Sequence, residues 1–242
     1  MALHFLVESA TGAVVGGLVT LTGAEAKHAA VVRRLRVGEA VSLGDGRGVW
    51  LTGVAEEITP SRVGVRVTAR ENRPAPSPRI VLVQALAKGD RDELAVQAAC
   101  ELGVDEIVPW QASRSVSRWE GPKAVKGRER WATIVREAAK QAHRAWVPEV
   151  TAPVTTAQLA ERAAGERMLM LDPTATVRLS ALEPDGSDLV LVVGPEGGIA
   201  PDEIDRLVAA GAERVLLGDT VLRTSTAGPA AIAVLSAALG RW

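Results

Sequence analysis

Apolar and polar residues alternate along the first third of the chain in short segments, each about as long as one strand. Alternation with a period of two, bounded by turn residues, is typical of β-strands that are buried on one face. The strands predicted in this way are His4–Val7, Val14–Thr20, Glu39–Leu43, Val49–Ile58 and Arg62–Thr68, with one helix at Glu25–Arg33 and a Gly-Asp-Gly turn at 44–46. A few short strands with a single helix favour a small β-barrel.

The rest of the chain alternates between strands and helices. Ile80–Ala87 is an almost continuous apolar run, which is expected of a strand covered on both faces. The further strands predicted here are Glu106–Pro109, Met168–Leu171, Leu189–Val193 and Arg214–Leu217, and the helices are Arg91–Leu102, one within Ala124–His143, one near Thr156–Ala164, Pro201–Ala210 and Thr224–Leu239. Strands that alternate with helices predict an α/β domain with a mostly parallel sheet.

A proline-rich segment separates the two patterns. Residues 70–79 contain Pro74, Pro76 and Pro78 at alternate positions, which removes amide donors and favours an extended chain. We therefore predict a linker here that divides the protein into domains of residues 1–72 and 73–242.

Composition places this protein among globular domains. Apolar residues make up 47% of the 242 residues, enough for a core without disulfides or metals, yet no run approaches the roughly 18 apolar residues of a membrane span. The N-terminal segment has no positive charge ahead of its short apolar run, so it predicts a first strand rather than a secretion signal. The single cysteine, Cys100, has no partner for an internal disulfide. We expect a cytoplasmic protein with no membrane association.

A net charge of −1 conceals two segments of opposite charge. Between Trp110 and Pro148 nine basic side chains face three acidic ones, a local charge of +6, whereas from Glu149 to Trp242 seven arginines face thirteen acids, a charge of −6. Phosphate binding requires a local basic surface and not a basic protein. The basic segment is thus a candidate RNA surface, and the alternative is an ordinary solvated helix face.

Three loops follow predicted strands, where open α/β sheets place their ligands. The first loop is residues 171–174, the glycine loop is residues 194–198, and the third loop is residues 217–227. The glycine loop matches neither the dinucleotide nor the P-loop pattern. Two of the loops have a plainer alternative, a simple turn for the glycine loop and helix capping for the third loop. Glu196 is a carboxylate among glycines directly after a buried strand, an unusual place for a merely solvated side chain.

Metal and serine-hydrolase chemistry are not indicated by the sequence. The three histidines, His4, His28 and His143, are scattered and have no Cys or His partner at ligand spacing. There is no G-x-S-x-G elbow. We therefore predict no metal site, and we interpret each histidine as a structural residue or an RNA contact.

Taken together, the motifs resemble the SPOUT methyltransferases, and more narrowly the bacterial small-subunit rRNA uridine-N3 methyltransferases. The residues that carry the resemblance are Gly194-Pro195-Glu196-Gly197-Gly198, Leu217-Gly218, Leu222-Arg223-Thr224 with Thr226-Ala227, His4-Phe5, His28, Leu35-Arg36 with Gly38, Lys88, Glu101-Leu102-Gly103-Val104, Pro109, Arg114-Ser115, and Glu137-Ala138-Ala139 with Gln141, Arg144 and Pro148. Each piece is weak alone, but the ordered set spans nearly the whole chain.

The resemblance implies a fold and a cofactor that periodicity alone does not indicate. It implies an N-terminal PUA-like RNA-binding β-barrel and a C-terminal α/β domain with a trefoil knot, a rare exception to unknotted topology. It also implies a homodimer that binds S-adenosylmethionine at the three loops. The cofactor-binding residues expected from it are Leu171, Asp172, Gly194, Pro195, Glu196, Gly197, Gly198, Leu217, Gly218, Leu222, Arg223, Thr224 and Ala227.

The activity implied is methylation of uridine N3 in 16S rRNA of the small ribosomal subunit, giving 3-methyluridine. The candidate catalytic residues are Arg114, Arg144, Arg223 and Glu196, with Glu196 considered both as the base and as a ligand of the cofactor's positive end. The candidate RNA-binding residues are His4, His28, Arg33, Arg34, Arg36, Lys88, Arg114, Arg118, Gln141 and Arg144. Two alternatives remain open, a SPOUT ribose 2′-O-methyltransferase and a non-catalytic RNA-binding or ribosome-assembly protein.

The chain departs from the family pattern at two positions. Ser225 stands where the family usually has Glu, which places any role for a carboxylate there in doubt. Leu3 stands where an Arg is often found beside the first-strand His and Phe. The general base is therefore not identified by the sequence.

Overall fold

The computed structural model describes residues 3–242, which form two compact units. The first unit contains the chain up to Ala75 together with residues 139–147, and the second contains Pro76–Ala138 and Pro148–Trp242. The boundary after Ala75 lies close to the predicted one at residue 72. Residues 139–147 lie in the first unit, whereas the sequence placed them in the C-terminal domain, so the division at residue 72 stays a prediction.

Five strands form a curled sheet in the first unit. They are β1 (Leu3–Leu6), β2 (Leu18–Thr22), β3 (Ala40–Gly44), β4 (Val49–Thr59) and β5 (Arg62–Asn72). Their order in the sheet is β1-β3-β4-β5-β2, with β1 parallel to β3 and the other neighbours antiparallel. Helix α1 (Gly23–Lys27) continues into one π-helical turn (His28–Val32). The predicted small β-domain with one helix is confirmed.

Two irregularities curl the longest strand pair around the core of the first unit. The register between β4 and β5 shifts at Thr52/Gly53 and again at Ala55/Glu57. Such bulges bend a strand and increase its twist. The concave side encloses fully buried apolar side chains that include Phe5, Leu21 and Leu43.

Two predicted boundaries in this unit were wrong. The second strand begins at Leu18 and not at Val14, because Gly16 adopts a left-handed conformation (φ +83°) and turns the chain, leaving Val14 and Val15 exposed. Strand β5 runs on to Asn72, so the first residues of the predicted linker belong to the sheet.

Residues 139–147 are tied to the first unit by specific bonds. Lys140 Nζ lies 2.9 Å from Glu25 Oε1, and both side chains are largely buried. The Val147 amide donates to the Gly46 carbonyl (3.0 Å), and Trp146 Nε1 donates to the Arg73 carbonyl (2.9 Å). Lys140 is consequently a structural cation, although the sequence counted it in the basic segment.

His4 is a packing residue of the first unit. Its imidazole is 6% exposed and stacks on Trp50 at a centroid distance of 4.3 Å. The Ser42 hydroxyl donates to the Leu3 carbonyl and lies 3.1 Å from His4 Nδ1, which therefore carries the proton. Burial, followed by the charges of His143 and Lys140, lowers the pKa of His4 to about 4. An imidazole buried in this way offers no surface to RNA, which argues against the predicted RNA contact.

Seven strands and five helices form the second unit. The strands are β6 (Ile80–Ala85), β7 (Glu106–Gln111), β8 (Glu149–Val150), β9 (Val154–Thr155), β10 (Arg167–Leu171), β11 (Leu189–Val193) and β12 (Glu213–Val215), and the helices are α2 (Arg91–Glu101), α3 (Pro122–Gln141), α4 (Thr156–Ala163), α5 (Pro201–Ala209) and α6 (Thr224–Ala238). The strand order is β12-β10-β11-β6-β7-β8, β9 also pairs with β7, and every pairing is parallel. The predicted parallel α/β sheet is confirmed.

Helices cover both faces of the central strands. Val81 and Val83 of β6 share a core cluster with Leu159 of α4 and Leu207 of α5. A Cβ added to Gly228 of α6 would lie 3.2 Å from Leu82, which points to the opposite face. This double coverage explains why every residue of β6 and β11 is buried.

Within residues 3–242 no helix is both long and apolar enough to cross a membrane. The trefoil knot implied by the resemblance stays a prediction.

The low pKa of His4 predicts that the stability of the first unit depends on pH. Because the folded-state pKa of about 4 lies below the ordinary histidine value of 6.5, the unfolded chain binds more protons between these two pH values. The stability contributed by neutral His4 is present above pH 6.5 and is lost as the pH falls towards 4. We expect lowering the pH from 7 to 5 to cost the first unit about 2 kcal/mol through this residue.

Amide hydrogen exchange of β1 and β3 in the full-length protein measures this cost. In His4→Gln the drop in opening free energy between pH 7 and pH 5 should shrink by that amount. An identical pH dependence in wild type and variant would show that another group is responsible.

Candidate functional site

A cavity of about 550 Å³ opens at the carboxyl edge of the second unit's sheet. Strands β10, β11 and β12 are parallel neighbours of one sheet, so the loops that follow them converge there. The lining residues are Arg91, Leu171, Asp172, Pro173, Thr174, Val193, Gly194, Pro195, Glu196, Gly198, Ile199, Ile204, Val215, Leu216, Leu217, Gly218, Thr220, Val221, Leu222, Arg223, Thr224 and Ala227. The three loops selected from the sequence thus meet in one place.

The residues predicted to bind a cofactor line this cavity, with one exception. Gly197 is not among the lining residues; its Cα faces Arg114, and an added Cβ would lie 3.4 Å from the Arg114 Cβ. The volume lies within the range of small-molecule sites, roughly 300–1,000 Å³. Its walls are mostly apolar side chains and main chain, with few polar side chains.

Two glycines of the glycine loop are required by its conformation. A Cβ added to Gly194 would lie 2.6 Å from Ile199 Cγ1, a distance at which atoms must shift. Gly198 has φ of +71°, a left-handed conformation in which other residues are strained. The loop therefore turns tightly before α5, whose first residue is Pro201.

Glu196 holds the glycine loop to the start of α2. Its Oε1 accepts from the Lys88 amide (3.0 Å) and from Arg91 Nη1 (2.9 Å). Burial raises the pKa of this carboxyl, but the hydrogen bonds from its own amide, Lys88 and Arg91 outweigh burial and lower the pKa below its usual value. A carboxylate stabilised in its charged form is a weak proton acceptor, which argues against Glu196 as the general base.

Asp172 organises the first loop in a similar way. One carboxylate oxygen accepts from the Thr174 amide and hydroxyl, both at 2.8 Å, and the other accepts from Arg214 Nε at 2.8 Å. Burial raises the pKa of Asp172, but these hydrogen bonds outweigh burial and lower the pKa below its usual value, so the carboxyl stays ionised. Asp172 lines the cavity with both oxygens already engaged.

A buried chain of hydrogen bonds links the central strand to the glycine loop. Gln84 Nε2 donates to Thr224 Oγ1 (2.9 Å), and the Thr224 hydroxyl donates to the Gly194 carbonyl (2.9 Å). Gln84 is fully buried, and its Oε1 has no partner in the part of the chain that the structure describes. Thr224, the first residue of α6, is thereby fixed between β6 and the cavity.

Arg114 reaches the glycine loop from a neighbouring strand. It lies in the serine–arginine loop, residues 112–118, which follows β7. Arg114 Nη1 donates to the Gly197 carbonyl (3.0 Å), and Arg118 Nη2 donates to the Ser113 carbonyl (3.1 Å). Both arginines are exposed, so their remaining donors face solvent.

The other predicted residues are spread more widely. Arg223 is exposed and lines the cavity, whereas Arg144 is half-buried, belongs to the first unit and is not a lining residue. His28 is half-buried and packs edge-on against Phe5. The exposed candidates for RNA contact are Arg33, Arg34, Arg36, Lys88, Arg114, Arg118 and Gln141. No group of three or more His, Cys, Asp or Glu side chains suited to a metal ion occurs within residues 3–242.

Several site residues were missed by sequence reasoning, although signals for two existed. Arg91 opens a helix directly after the β6 turn, at the same sheet edge as the predicted loops. Gln84 interrupts an apolar run, and a buried amide requires a polar partner nearby. Glu203, whose buried carboxylate accepts four hydrogen bonds, had only its place in the first turn of a helix to mark it.

Family comparison gives this arrangement a class. The profile described as "RNA methyltransferase domain" matches residues 73–236, and the profile described as "RNA methyltransferase PUA domain" matches residues 21–68. The chain therefore belongs to the RNA methyltransferase family, and within it to the group of its relatives named ribosomal RNA small subunit methyltransferase E. The resemblance seen in the sequence is confirmed.

The relatives are similar over almost their whole length. The protein of that name from Mycobacterium tuberculosis is 43% identical over 94% of this chain and 89% of its own, and the one from Bacillus subtilis is 32% identical over 90% and 89%. A solved structure of ribosomal RNA small subunit methyltransferase E from Neisseria gonorrhoeae, bound to S-adenosyl methionine, superimposes with a TM-score of 0.87 at 28% identity, covering 98% of both chains. A putative methyltransferase from Legionella pneumophila, in complex with SAM, gives 0.86 at 31% identity, with 98% and 97% covered.

The Gln84–Thr224–Gly194 chain generates a stability prediction. Thr224→Val keeps the shape of the side chain but removes both hydrogen bonds and leaves the buried Gln84 amide with only its bond to the Ala85 carbonyl (3.2 Å) among the described residues. We expect unfolding free energy to fall by about 1–3 kcal/mol. Thr226→Val, an exposed threonine of the same helical turn, is the matched control and should change little. Equal effects of the two variants in chemical unfolding would contradict the assignment.

Proposed function

We propose that this protein transfers a methyl group from S-adenosylmethionine to ribosomal RNA of the small subunit. The observation that carries the proposal is the cavity formed by the three loops, in a chain that belongs to the RNA methyltransferase family. The relatives' names and the two SAM-bound structures support the same substrate and cofactor. The finer proposal is that the acceptor is N3 of a uridine in 16S rRNA and the product is 3-methyluridine.

Three features of the cavity support S-adenosylmethionine as its ligand. Its volume suits a small molecule, and the apolar side chains Val193, Ile199 and Leu216 suit a purine ring. A Cβ added to Gly218 would meet no atom within 4 Å, so the main chain there is open to the cavity. We propose that the first, glycine and third loops hold this cofactor, which supplies a methyl group on a positively charged sulfur.

The acceptor side of the reaction requires a cation. Uridine N3 carries a proton, and it becomes a good nucleophile only when that proton leaves. A guanidinium near the uracil carbonyls stabilises the negative charge that develops. We assign this role to Arg114 or Arg223, because each is exposed and Arg223 lines the cavity while Arg114 contacts its glycine loop. Arg144 stays a candidate, and Glu196 is reassigned to holding the loop.

RNA binding is assigned to exposed basic side chains. Arg33, Arg34 and Arg36 follow the π-helical turn of the first unit, within the range that matches the PUA domain. Lys88 and Arg118 flank the sheet edge of the second unit. Because a uridine in folded RNA is stacked or paired, N3 must be exposed before reaction, and a separate RNA-holding domain serves this need. We retain the homodimer as part of the proposal, to be tested by light scattering.

Methyl transfer to small ribosomal subunits that lack the modification tests the proposal directly. Labelled S-adenosylmethionine should place its label in 3-methyluridine when the RNA is digested to nucleosides. Label in a 2′-O-methyl nucleoside would instead support the ribose methyltransferase alternative. Cofactor binding without any transfer would point to a different RNA particle, and the absence of both would support a non-catalytic RNA-binding protein.

Substitution of the two arginines separates cofactor binding from turnover. Arg223→Ala should weaken both cofactor affinity, measured by calorimetry, and turnover. Arg114→Ala should leave cofactor affinity nearly unchanged and lower kcat/KM for small subunits by about 10²-fold. Arg206→Ala, an exposed arginine of α5 that does not line the cavity, is the control for loss of charge. Unchanged affinity and turnover in Arg223→Ala would remove Arg223 from the site.

A further inference from the structure

Glu203 is a buried carboxylate at the third position of α5, and it does not line the cavity. The residue is 5% exposed. Its Oε1 accepts from the Ser113 amide (2.9 Å) and the Thr156 hydroxyl (2.6 Å), and its Oε2 accepts from the Ser113 hydroxyl (2.8 Å) and the Ala200 amide (3.4 Å). Four donors from three different segments therefore converge on one side chain.

The three segments come from separate parts of the second unit. Ser113 belongs to the serine–arginine loop, Thr156 begins α4, and Ala200 joins the glycine loop to α5. Trp110 Nε1 also donates to the Thr156 hydroxyl (3.2 Å), which connects the end of β7 to the same cluster. One carboxylate thus fixes the spacing between loops that follow two different strands.

Arg114 is held from both sides by this arrangement. Its chain neighbour Ser113 is bound through both its amide and its hydroxyl, so the backbone before Arg114 has little freedom. The guanidinium donates to the Gly197 carbonyl, and Glu203 also binds Ala200 just after that loop. Displacing Glu203 would release both ends of the Arg114 contact.

We propose that Glu203 is a positioning residue for methyl transfer, whose carboxylate holds Arg114 against the glycine loop. The inference rests on the proposed function, because it requires Arg114 to act in turnover. Burial raises the pKa of Glu203, and the bonds from Thr156, Ser113 and Ala200 outweigh it and keep the carboxyl ionised. An ionised carboxylate has no proton to donate to its partners, and it accepts from all four of them at once.

A positioning role predicts different losses of turnover for two substitutions of Glu203. Glu203→Gln retains a planar head with one acceptor and one donor, and the Ser113 hydroxyl is able to rotate and accept from the new amide. Glu203→Ala removes every bond. A positioning role therefore predicts partial retention of turnover in Glu203→Gln and a larger loss in Glu203→Ala.

Glu106 supplies a matched control within the same unit. It is the first residue of β7, about 16 Å along the strand from Gln111, and lies at the opposite edge of the sheet. Its carboxylate is 8% exposed and is bound by Arg79 (2.6 Å) and Arg162 (2.7 Å). Glu106→Ala therefore removes a similarly buried, ionised carboxylate without touching the site.

A double-mutant cycle tests the inference, using kcat/KM for methyl transfer to small subunits at a temperature where every variant is folded. Glu203→Ala and Arg114→Ala should each lower kcat/KM by about 10²-fold, since a displacement of about 1 Å has an effect of that size. The double variant should be no worse than Arg114→Ala by more than about threefold, because residues that act through each other are not additive. Glu106→Ala should stay within about threefold of wild type.

Three outcomes would overturn the inference. If Arg114→Ala is impaired and the two single effects on kcat/KM multiply in the double variant, Glu203 does not act through Arg114. The proposed function would remain intact in that case. Wild-type turnover in Arg114→Ala would reject the role of Arg114 and the inference with it. An equal loss of turnover in Glu106→Ala would reduce Glu203 to a general stability effect. If Glu203→Ala does not fold, the cycle is run with Ser113→Ala, which removes one of the bonds, and the same non-additivity is expected.

Discussion

Parallel pairing of the strands is the constraint on which the second unit depends. Every strand pairing there is parallel, so every strand begins at one edge of the sheet and ends at the opposite edge. The loops after β6, β7, β10, β11 and β12 therefore all lie at the carboxyl edge. Parallel sheets must also be covered on both faces, which makes β6 and β11 fully buried. A ligand can therefore reach the central strands only at their ends, and the residues that contact it lie in the loops.

Hydrogen-bonded carboxylates give these loops a fixed shape. Asp172, Glu196 and Glu203 each accept hydrogen bonds from a backbone amide and from at least one side chain of a different segment. Two of the thirteen acids of the C-terminal segment, Asp172 and Glu203, are thus buried and are not presented to RNA. Part of the positive charge of the basic segment is likewise paired within the protein, since Lys140 binds Glu25 and Arg130 binds Glu93. Net charge along the sequence is consequently a poor measure of the surface that RNA would meet.

Sequence periodicity predicted the elements well because burial imposes it. The apolar runs at Ile80–Ala85 and Leu189–Val193 were found as strands within two residues of their bounds, and the loops after the strands were found because the topology places them. Predictions failed where a local conformation overrode the pattern, as at Gly16 before β2. Side-chain partners were not predictable, because the bonds of Glu203 join residues 47 and 90 positions apart along the chain. The contact between Glu196 and Arg91 was not predictable for the same reason, as the two residues lie 105 positions apart.

The membership of residues 139–147 in the first unit has a consequence for how the protein is made. A protein chain is synthesised from its N-terminus, and all five strands of the β1–β5 sheet have been synthesised once Asn72 is reached. Yet the Gly46 carbonyl, the Gly48 amide and the Glu25 carboxylate bind Val147, Ala145 and Lys140, which come much later in the chain. The N-terminal unit therefore closes these hydrogen bonds only after Pro76–Ala138 of the second unit has been synthesised.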